Sequence, residues 1–199
     1  MDRFCRVWAV LLVLLLAGCA RQVPTLYRFA DLPARGSCRI ALLPLVDKGS
    51  YPRGATILSK VLRSELVSSG HFRVVQEGDI LDLYRQLLLY PNRQPNQEQL
   101  RIIGGRLGIG LFVGGDILEM RQGQAKGGIA PDTDLTMILR IYDGGTGRLL
   151  WSTYHRRQGS HYQKVLHFGR INTVTGLARQ MAREVIGLWL EEGMEPCAR

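Results

Sequence analysis

The sequence has little that would place the chain within a membrane. No apolar run approaches the ~20 residues that a membrane-spanning helix needs, and the longest run, Val7 to Ala17, lies near the N-terminus. Charged residues make up 22% of the 199 residues, a globular proportion that excludes a disordered or fibrous chain. A chain of this length and composition is expected to form one globular domain with a core of its own.

Catalytic sequence motifs are missing as well. The chain contains no Walker sequence, no Gly-x-Ser-x-Gly elbow and no His-Glu-x-x-His motif. Gly108, Gly110 and Gly114 lead into a predicted strand, whereas a phosphate-binding loop leaves a strand and opens a helix. We therefore interpret these residues as structural glycines.

The titratable residues also lack the pattern of an active site. The four histidines, at positions 71, 155, 161 and 167, lack the spacing of metal ligands, and His155 and His161 are expected to be solvated. Asp116 and Glu119 are expected on opposite faces of one strand, where they cannot form an acid/base pair. The sequence therefore predicts a protein that is not an enzyme and that holds no metal or other cofactor.

The N-terminus has the pattern of an export signal. Arg3 and Arg6 precede the apolar run, which ends in the sequence Leu-Ala-Gly followed by Cys19. This order is typical of a signal peptide, and Leu-Ala-Gly-Cys resembles the lipobox of bacterial lipoproteins, in which the cysteine is lipidated and becomes the first residue. An ordinary signal peptide, or a buried hydrophobic hairpin, with a chance cysteine is the alternative. We expect a signal peptide at residues 1–18 and lipid on Cys19.

The residues after the cysteine indicate the membrane to which the protein is sorted. In Gram-negative lipoproteins an aspartate in the next position favours retention in the inner membrane, and here Ala20 and Arg21 follow Cys19. The resemblance thus implies the periplasmic face of the outer membrane. The chain carries a net charge of +9, which suits anionic lipid or cell-wall polymer, or is only a soluble cationic surface. Export and the scattered arginines argue against nucleic acid.

Two further cysteines remain after the signal peptide and the lipidated residue are set aside. Cys38 precedes the first strand and Cys197 lies near the C-terminus. A pair in an oxidising compartment favours a disulfide, and the alternatives are two unrelated thiols or a bond within an assembly. Residues 19–37 contain Pro24, Pro33 and Gly36 with little periodicity, which predicts a lipidated tether that reaches up to ~60 Å.

Part of this tether has a second interpretation. Leu26, Tyr27 and Phe29 suggest that it lies against the domain or against a neighbouring copy.

Residues 38–199 are predicted to form a single α/β domain. Apolar periodicity gives the order βαβ-α-α-βββ-α, with a mixed sheet of about five strands flanked by helices. Pro44 removes a ladder donor and should lie at the end or at a bulge of the first strand, and Asn96 with Gln99 resembles a capping box. The expected strands span 39–46, 71–76, 111–120, 134–142 and 148–156, and the expected helices 57–66, 79–88, 96–107 and 171–189.

Several of these segments together resemble one superfamily of envelope lipoproteins. The matching segments are Ile40 to Leu45, Phe72 to Glu77, Leu107-Gly108 with Leu111 to Ile117, Ile141 to Asp143, and Thr146 to Trp151. The superfamily includes the curli-export channel lipoprotein, the lipoprotein activator of penicillin-binding proteins and the Pel polysaccharide-export lipoprotein, which share a fold similar to the N-terminal domain of TolB. The likeness covers residues 39–190 and implies this α/β fold.

The resemblance implies two functions for an outer-membrane-anchored chain. The first is a non-catalytic accessory or ring subunit of an envelope export or assembly complex, with an envelope protein or further copies of itself as partners. The second is a tethered regulator of a peptidoglycan synthase. The candidate interface is Trp151, Tyr154, Arg156 and Arg157 with the loop 123–131, although Trp151 also suits the core.

Overall fold

The computed structural model describes residues 23–33, 38–123, 132–164 and 168–197. The strands are β1 (Thr25–Arg28), β2 (Arg39–Leu42), β3 (Val46–Asp47), β4 (Arg73–Val74), β5 (Leu111–Gln122), β6 (Thr133–Asp143) and β7 (Leu149–Gln158). The helices are α1 (Gly54–Ser68), α2 (Glu77–Gln86), α3 (Gln97–Leu107) and α4 (Val174–Glu191), and a 3₁₀ turn spans Gly159–Tyr162. The predicted signal peptide and Cys19 lie outside the described residues.

The strands form one mixed sheet, as the sequence predicts. Its order is β1-β7-β6-β5-β2-β4, with β3 beside β5. β2 is parallel to β4 and to β5, and β5, β6, β7 and β1 are antiparallel neighbours. The sheet has seven strands and not about five, because β1 is additional and because the predicted first strand divides into β2 and β3. Pro44 lies in the gap between these two strands, where its missing N–H costs no ladder bond.

Helices cover the sheet on both sides, but unequally. α1 and α4 pack on one side, which we call the inner face, with residues such as Leu62, Met181 and Trp189 fully buried against the strands. α2 and α3 pack on the other side over β2, β4 and the start of β5, around Phe112 and Ile103. Because α1 and α2 leave the parallel strands on opposite sides, both faces of β2 are buried, which explains its continuous apolar sequence.

The helix ends follow from local sequence. Asn96 accepts a hydrogen bond from the backbone of Gln99, whose side chain accepts one from the backbone of Asn96, so the expected capping box is present. Thr173 caps α4 by accepting from the backbone N–H of Gly176. Gly108 ends α3 with φ at 60°, a left-handed conformation that glycine adopts without strain.

The N-terminal segment is partly built into the sheet, which corrects the prediction of a tether through residue 37. Residues 25–28 pair with β7, with Thr25 opposite Tyr154 and Arg28 opposite Trp151. Leu26 packs against the core, while Tyr27 and Phe29 are exposed. The edge of β7 offers unpaired backbone groups, and four backbone pairs with β1 satisfy them, which sequence periodicity over so short a strand does not reveal.

A disulfide joins the two ends of the domain. Cys38 and Cys197 are bonded in the structure, with their Cα atoms 4.8 Å apart. The backbone N–H of Cys197 donates to the carbonyl of His71 at 2.7 Å, so the C-terminal segment lies beside the entry to β4. The bond therefore closes nearly the whole domain into one covalent loop.

Candidate interaction face

One side of the sheet is left open by the helices. Within the described residues, no helix covers β7, β1 and β6 up to Arg140 on the side opposite α1 and α4, whereas Tyr142 at the end of β6 packs against the cluster of α2 and α3. We call this side the open face. It is formed by alternate residues of these three strands and by the end of β5. The side chains that line it are Tyr27, Asp116, Leu118, Glu119, Arg121, Asp134, Thr136, Ile138, Arg140, Ser152, Tyr154 and Arg156.

β7 divides the predicted interface between the two faces of the sheet. Tyr154 and Arg156 lie on the open face and are exposed. Trp151, at 2% exposure, and Arg157, at 6%, point inward and are buried. The prediction that all four share one surface is therefore wrong, because side chains two residues apart share a face and those one or three apart do not. Of the predicted loop, residues 124–131 lie outside the described residues.

The open face carries partly exposed apolar and aromatic groups. Tyr154 lies opposite Ile138 in the register of β6 and β7. Tyr27 of β1 lies on the same face, opposite Ser152 in the next row, and is 55% exposed. Leu118 lies at an irregularity of β5 and is 40% exposed. These groups form the apolar part of a largely polar sheet side that is available for contact.

Charged side chains on the same face are paired with one another. Arg140 donates to Asp116 at 2.7 Å, and Arg121 contacts both Glu119 at 2.9 Å and Asp134 at 3.2 Å. Asp116 and Glu119 therefore share a face, which corrects the expectation that they point to opposite sides. The physical reason is the bulge between Ile117 and Glu119, which inserts one residue and inverts the alternation that follows it.

The inner face carries a second polar group, centred on Glu184 of α4. Its carboxylate accepts hydrogen bonds from His155 at 2.7 Å, from Tyr162 at 2.9 Å and from Gln180 at 3.2 Å. Arg157 contacts the same carboxylate at 3.4 Å. We call these five residues the Glu184 cluster. It joins β7 and the 3₁₀ turn to α4.

His155 is buried, contrary to the expectation that it is solvated. Its exposure is 2%, and its Nε2 atom lies within hydrogen-bonding distance of Glu184. The sequence around it mixes aromatic, hydroxyl and basic residues without a clear alternation, so nothing in it distinguishes the buried histidine. His161, in contrast, is exposed, and position 167 lies outside the described residues.

The electrostatics of the cluster keep Glu184 ionised. Burial acts to raise the pKa of this carboxyl group, but hydrogen bonds from His155, Gln180 and Tyr162 and the charge of Arg157 outweigh it and lower the pKa from 4.5 to about 2. Burial, and then the negative charge of Glu184, raise the pKa of Tyr162 well above its usual value of 10. A carboxyl group with this low pKa is ionised near neutral pH, and its hydrogen bonds join α4 to β7 and to the 3₁₀ turn.

A second buried carboxylate joins the two helices of the inner face. Glu65 of α1 contacts Arg183 at 2.8 Å and Arg179 at 3.3 Å, both on α4. The described part of the chain contains no group of three histidines, cysteines or acidic residues that is arranged to hold a metal ion. The predicted lipidation site, Cys19, is outside it.

Comparison with known proteins shows which solved structures the fold resembles. The chain matches no protein-family model and none of the curated protein sequences. Its structure is similar to the PelC dodecamer from Paraburkholderia phytofirmans, with a TM-score of 0.54, 13% identity and coverage of 82% of this chain and 96% of that chain. It is also similar to the lipoprotein GNA1162 from Neisseria meningitidis, with a TM-score of 0.54, 13% identity and coverage of 77% and 99%.

A third solved structure is more distant. The LpoB C-terminal domain from Salmonella enterica has a TM-score of 0.43 at 17% identity, over 64% of this chain and 87% of that chain. The two stronger matches confirm the fold that the sequence resemblance implies, a mixed α/β sheet flanked by helices.

Proposed function

We propose that this protein is a lipoprotein of the outer membrane, anchored on its periplasmic face through Cys19, which acts as a non-catalytic subunit of an envelope export or assembly complex. In this role several copies associate, or one copy binds an envelope protein. The observation that carries the proposal is the open face, which leaves three strands of the sheet without a covering layer on one side.

The composition of the open face suits a protein contact. Protein interfaces are rich in tyrosine and arginine and combine an apolar centre with a polar rim. Tyr154, Ile138 and Tyr27 supply the centre, and Arg156 supplies an exposed charge that makes no ion pair with the described residues. Asp116 and Arg140 form an ion pair with each other, so contact with a partner would leave neither of these two charges isolated.

The structural neighbours support an assembly in the envelope. The Paraburkholderia protein is described as a dodecamer and the Neisseria protein as a lipoprotein. A closed ring of identical copies needs two different patches on each copy, one that contacts the preceding copy and one that contacts the next. In our proposal the open face is one of these patches.

The lipid anchor is supported by the sequence around Cys19. A charged n-region, an apolar run and Leu-Ala-Gly precede this cysteine. Among the described residues, no helix is long and apolar enough to cross a bilayer. We expect the parent protein to incorporate radiolabelled palmitate. We expect Cys19→Ser to incorporate none and to be released from the membrane fraction. Unchanged fractionation of Cys19→Ser contradicts the anchor.

The alternative is a tethered regulator of a peptidoglycan synthase. A regulator that reaches its synthase through the cell wall needs a long tether, and the entry of residues 25–28 into the sheet leaves little free chain after Cys19. For this reason we favour the complex subunit. Cross-linking of the protein to a penicillin-binding protein in cells would favour the regulator instead.

The assembly is tested by the mass of the lipidated protein in detergent. We expect sedimentation equilibrium to give a multiple of the monomer mass, and we expect Tyr154→Ala combined with Arg156→Glu to lower it. Val67→Ala is the control, because Val67 is 58% exposed and lies on α1, which covers the other side of the sheet. A monomeric parent at high concentration that also captures no envelope protein contradicts the proposal, as does a double variant that assembles like the parent.

A further inference from the structure

The way the N-terminal segment enters the sheet fixes the distance between the domain and its anchor. β1 begins at Thr25 and is held to β7 by the pairing of Thr25 with Tyr154. Pro24, directly before it, is buried against the domain, and Val23 is exposed. Only residues 20–22 therefore separate the predicted lipid site from chain that is part of the fold.

This short connection limits how far the domain can stand from the bilayer. Four residue steps join Cys19 to Val23, and an extended chain spans at most about 3.6 Å per residue, so the two Cα atoms lie within about 14 Å of each other. The tether expected from the sequence reached up to ~60 Å. A lipid on Cys19 would therefore hold the domain close to the membrane surface, by the end of the sheet at which β1 begins.

The direction of the strands shows which end this is. β1 and β7 are antiparallel, so the start of β1 lies beside the end of β7. If the register continued by two residues, Val23 would be level with Arg156. The 3₁₀ turn follows β7 directly. The backbone N–H of Ile171 donates to the carbonyl of Gly159 in this turn at 3.1 Å, so the segment before α4 lies at the same end of the sheet.

Exposed apolar and basic groups occupy this same end. Phe168 is 74% exposed, the most exposed phenylalanine of the described residues, and Val23 is 67% exposed. The carbonyl of Phe168 accepts a hydrogen bond from the backbone N–H of Lys164 at 2.8 Å, which fixes the two residues side by side. Lys164 and Arg156 are exposed and form no ion pair with the described residues.

The acidic residues at this end are already engaged. Asp132 accepts hydrogen bonds from the backbone and hydroxyl of Ser160 at 3.2 and 3.1 Å, and its charge is balanced by the guanidinium of Arg170 at 3.7 Å. Asp134 contacts Arg121 and accepts from Gln158 at 3.2 Å. The charges left for an external partner at this end are therefore positive.

We propose that this end of the domain, formed by Val23, Arg156, Lys164 and Phe168, rests on the bilayer that holds the lipid anchor. Phe168 and Val23 enter the interfacial region, and Lys164 and Arg156 contact anionic headgroups, an arrangement typical of surface-bound proteins. The proposal depends on the lipidation of Cys19 that is part of the proposed function. It adds an orientation, in which the turn between β6 and β7 points away from the membrane.

The test is depth-dependent quenching of an introduced tryptophan in the lipidated protein. Phe168→Trp places the probe at the proposed contact, and Arg148→Trp places it directly before β7, eight residues from Arg156, which is about 26 Å along a strand. The protein is bound to vesicles of phosphatidylcholine and phosphatidylglycerol with or without nitroxide-labelled phosphatidylcholine. The emission of Trp151 and Trp189 is subtracted by means of the parent protein.

We expect Phe168→Trp to lose most of its added emission when the nitroxide lipid is present and Arg148→Trp to keep it. If both probes keep their emission while the protein floats with the vesicles, the domain stands off the membrane and the inference is wrong. Quenching of Arg148→Trp alone means the opposite orientation and also overturns it. A parent protein that does not float with the vesicles refutes the lipid anchor itself, which is a separate result.

The charge contribution is tested on the same probe. Adding Arg156→Gln and Lys164→Gln to Phe168→Trp should lower the quenching on vesicles with phosphatidylglycerol. Arg73→Gln is the control, because Arg73 is an exposed arginine of β4 at the other end of the sheet. Equal quenching with and without the two substitutions contradicts the headgroup contact.

Discussion

Removal of the charge on Glu184 should destabilise the protein, because this carboxylate joins α4 to β7. In Glu184→Gln the side chain keeps its size, but His155, Arg157 and Tyr162 lose their anionic acceptor. The side chain of Arg157 is only 7% exposed, so its charge would be left largely without water and without a counterion. Removing one partner of a buried ion pair typically costs about 3–5 kcal/mol.

The pKa of Glu184 gives a second measure of this loss. A carboxyl whose pKa falls from 4.5 to about 2 on folding contributes about 3 kcal/mol above pH 4.5, at roughly 1.4 kcal/mol per pKa unit. The cost expected from the ion pair and the contribution obtained from the pKa therefore agree. For a domain of this size, a change of 3 kcal/mol lowers the Tm by about 6–12 °C.

The pH dependence of the effect has a definite sign. Because the pKa in the folded state is depressed, the stabilisation is complete above pH 4.5 and is lost as the pH falls towards 2. The difference in Tm between the parent and Glu184→Gln should therefore be constant near neutral pH and shrink below pH 4. Calorimetry or circular dichroism across this range measures it.

The control is Glu191→Gln, which removes the same charge from an exposed position at the end of the same helix. It should change the Tm little, since surface substitutions usually alter stability by less than about 0.5 kcal/mol. Equal Tm values for the parent and Glu184→Gln at pH 7, or a difference that persists unchanged to pH 2, would refute the reasoning.

Two further predictions concern the backbone. A Cβ on Gly104 would lie 1.9 Å from the carbonyl oxygen of Gly144, so Gly104→Ala should lower the free energy of unfolding by about 1–3 kcal/mol. No atom lies within 4 Å of a Cβ on Gly105, so Gly105→Ala should raise the free energy of unfolding by up to about 1 kcal/mol. Urea titrations that rank the two variants in the reverse order contradict the packing. Loss of the bond between Cys38 and Cys197 in Cys197→Ser should lower stability by ~5 kcal/mol or less, because the bond closes a sequence separation of 159 residues. Two free thiols in the unreduced parent, found by mass spectrometry, would remove the basis for that expectation.

Much of the fold is predictable from the sequence because the signals are local. The alternation in β6, from Leu135 to Ile141, matches the buried and outward residues of the strand. Asn96 and Gln99 mark the start of α3 as expected, and Pro44 lies at the break between β2 and β3. The parallel pairing of β2 and β4 follows from the short strand-helix-strand order.

The candidate interface was predicted only in part because β7 has no clear alternation. From Trp151 to Arg157 the sequence mixes aromatic, hydroxyl and basic residues on both faces. The inward set includes His155 and Arg157, which both contact the carboxylate of Glu184, 29 and 27 residues further along the chain. A basic residue is expected at the surface, and only the position of this carboxylate makes burial favourable.

The sequence by itself predicted an export signal that ends at a cysteine. It also determined that the domain is α/β with a βαβ start and a three-stranded meander, and that Cys38 and Cys197 are available to bond. These features depend on neighbours within a few residues, or on composition alone. The tertiary structure decided that residues 25–28 join the edge of β7, that the bulge in β5 brings Asp116 and Glu119 to one face, and that Tyr154 points outward while Trp151 points inward. Each of these depends on which strand or helix lies alongside, and pairing energy between distant segments is set by the assembled sheet and not by the local pattern.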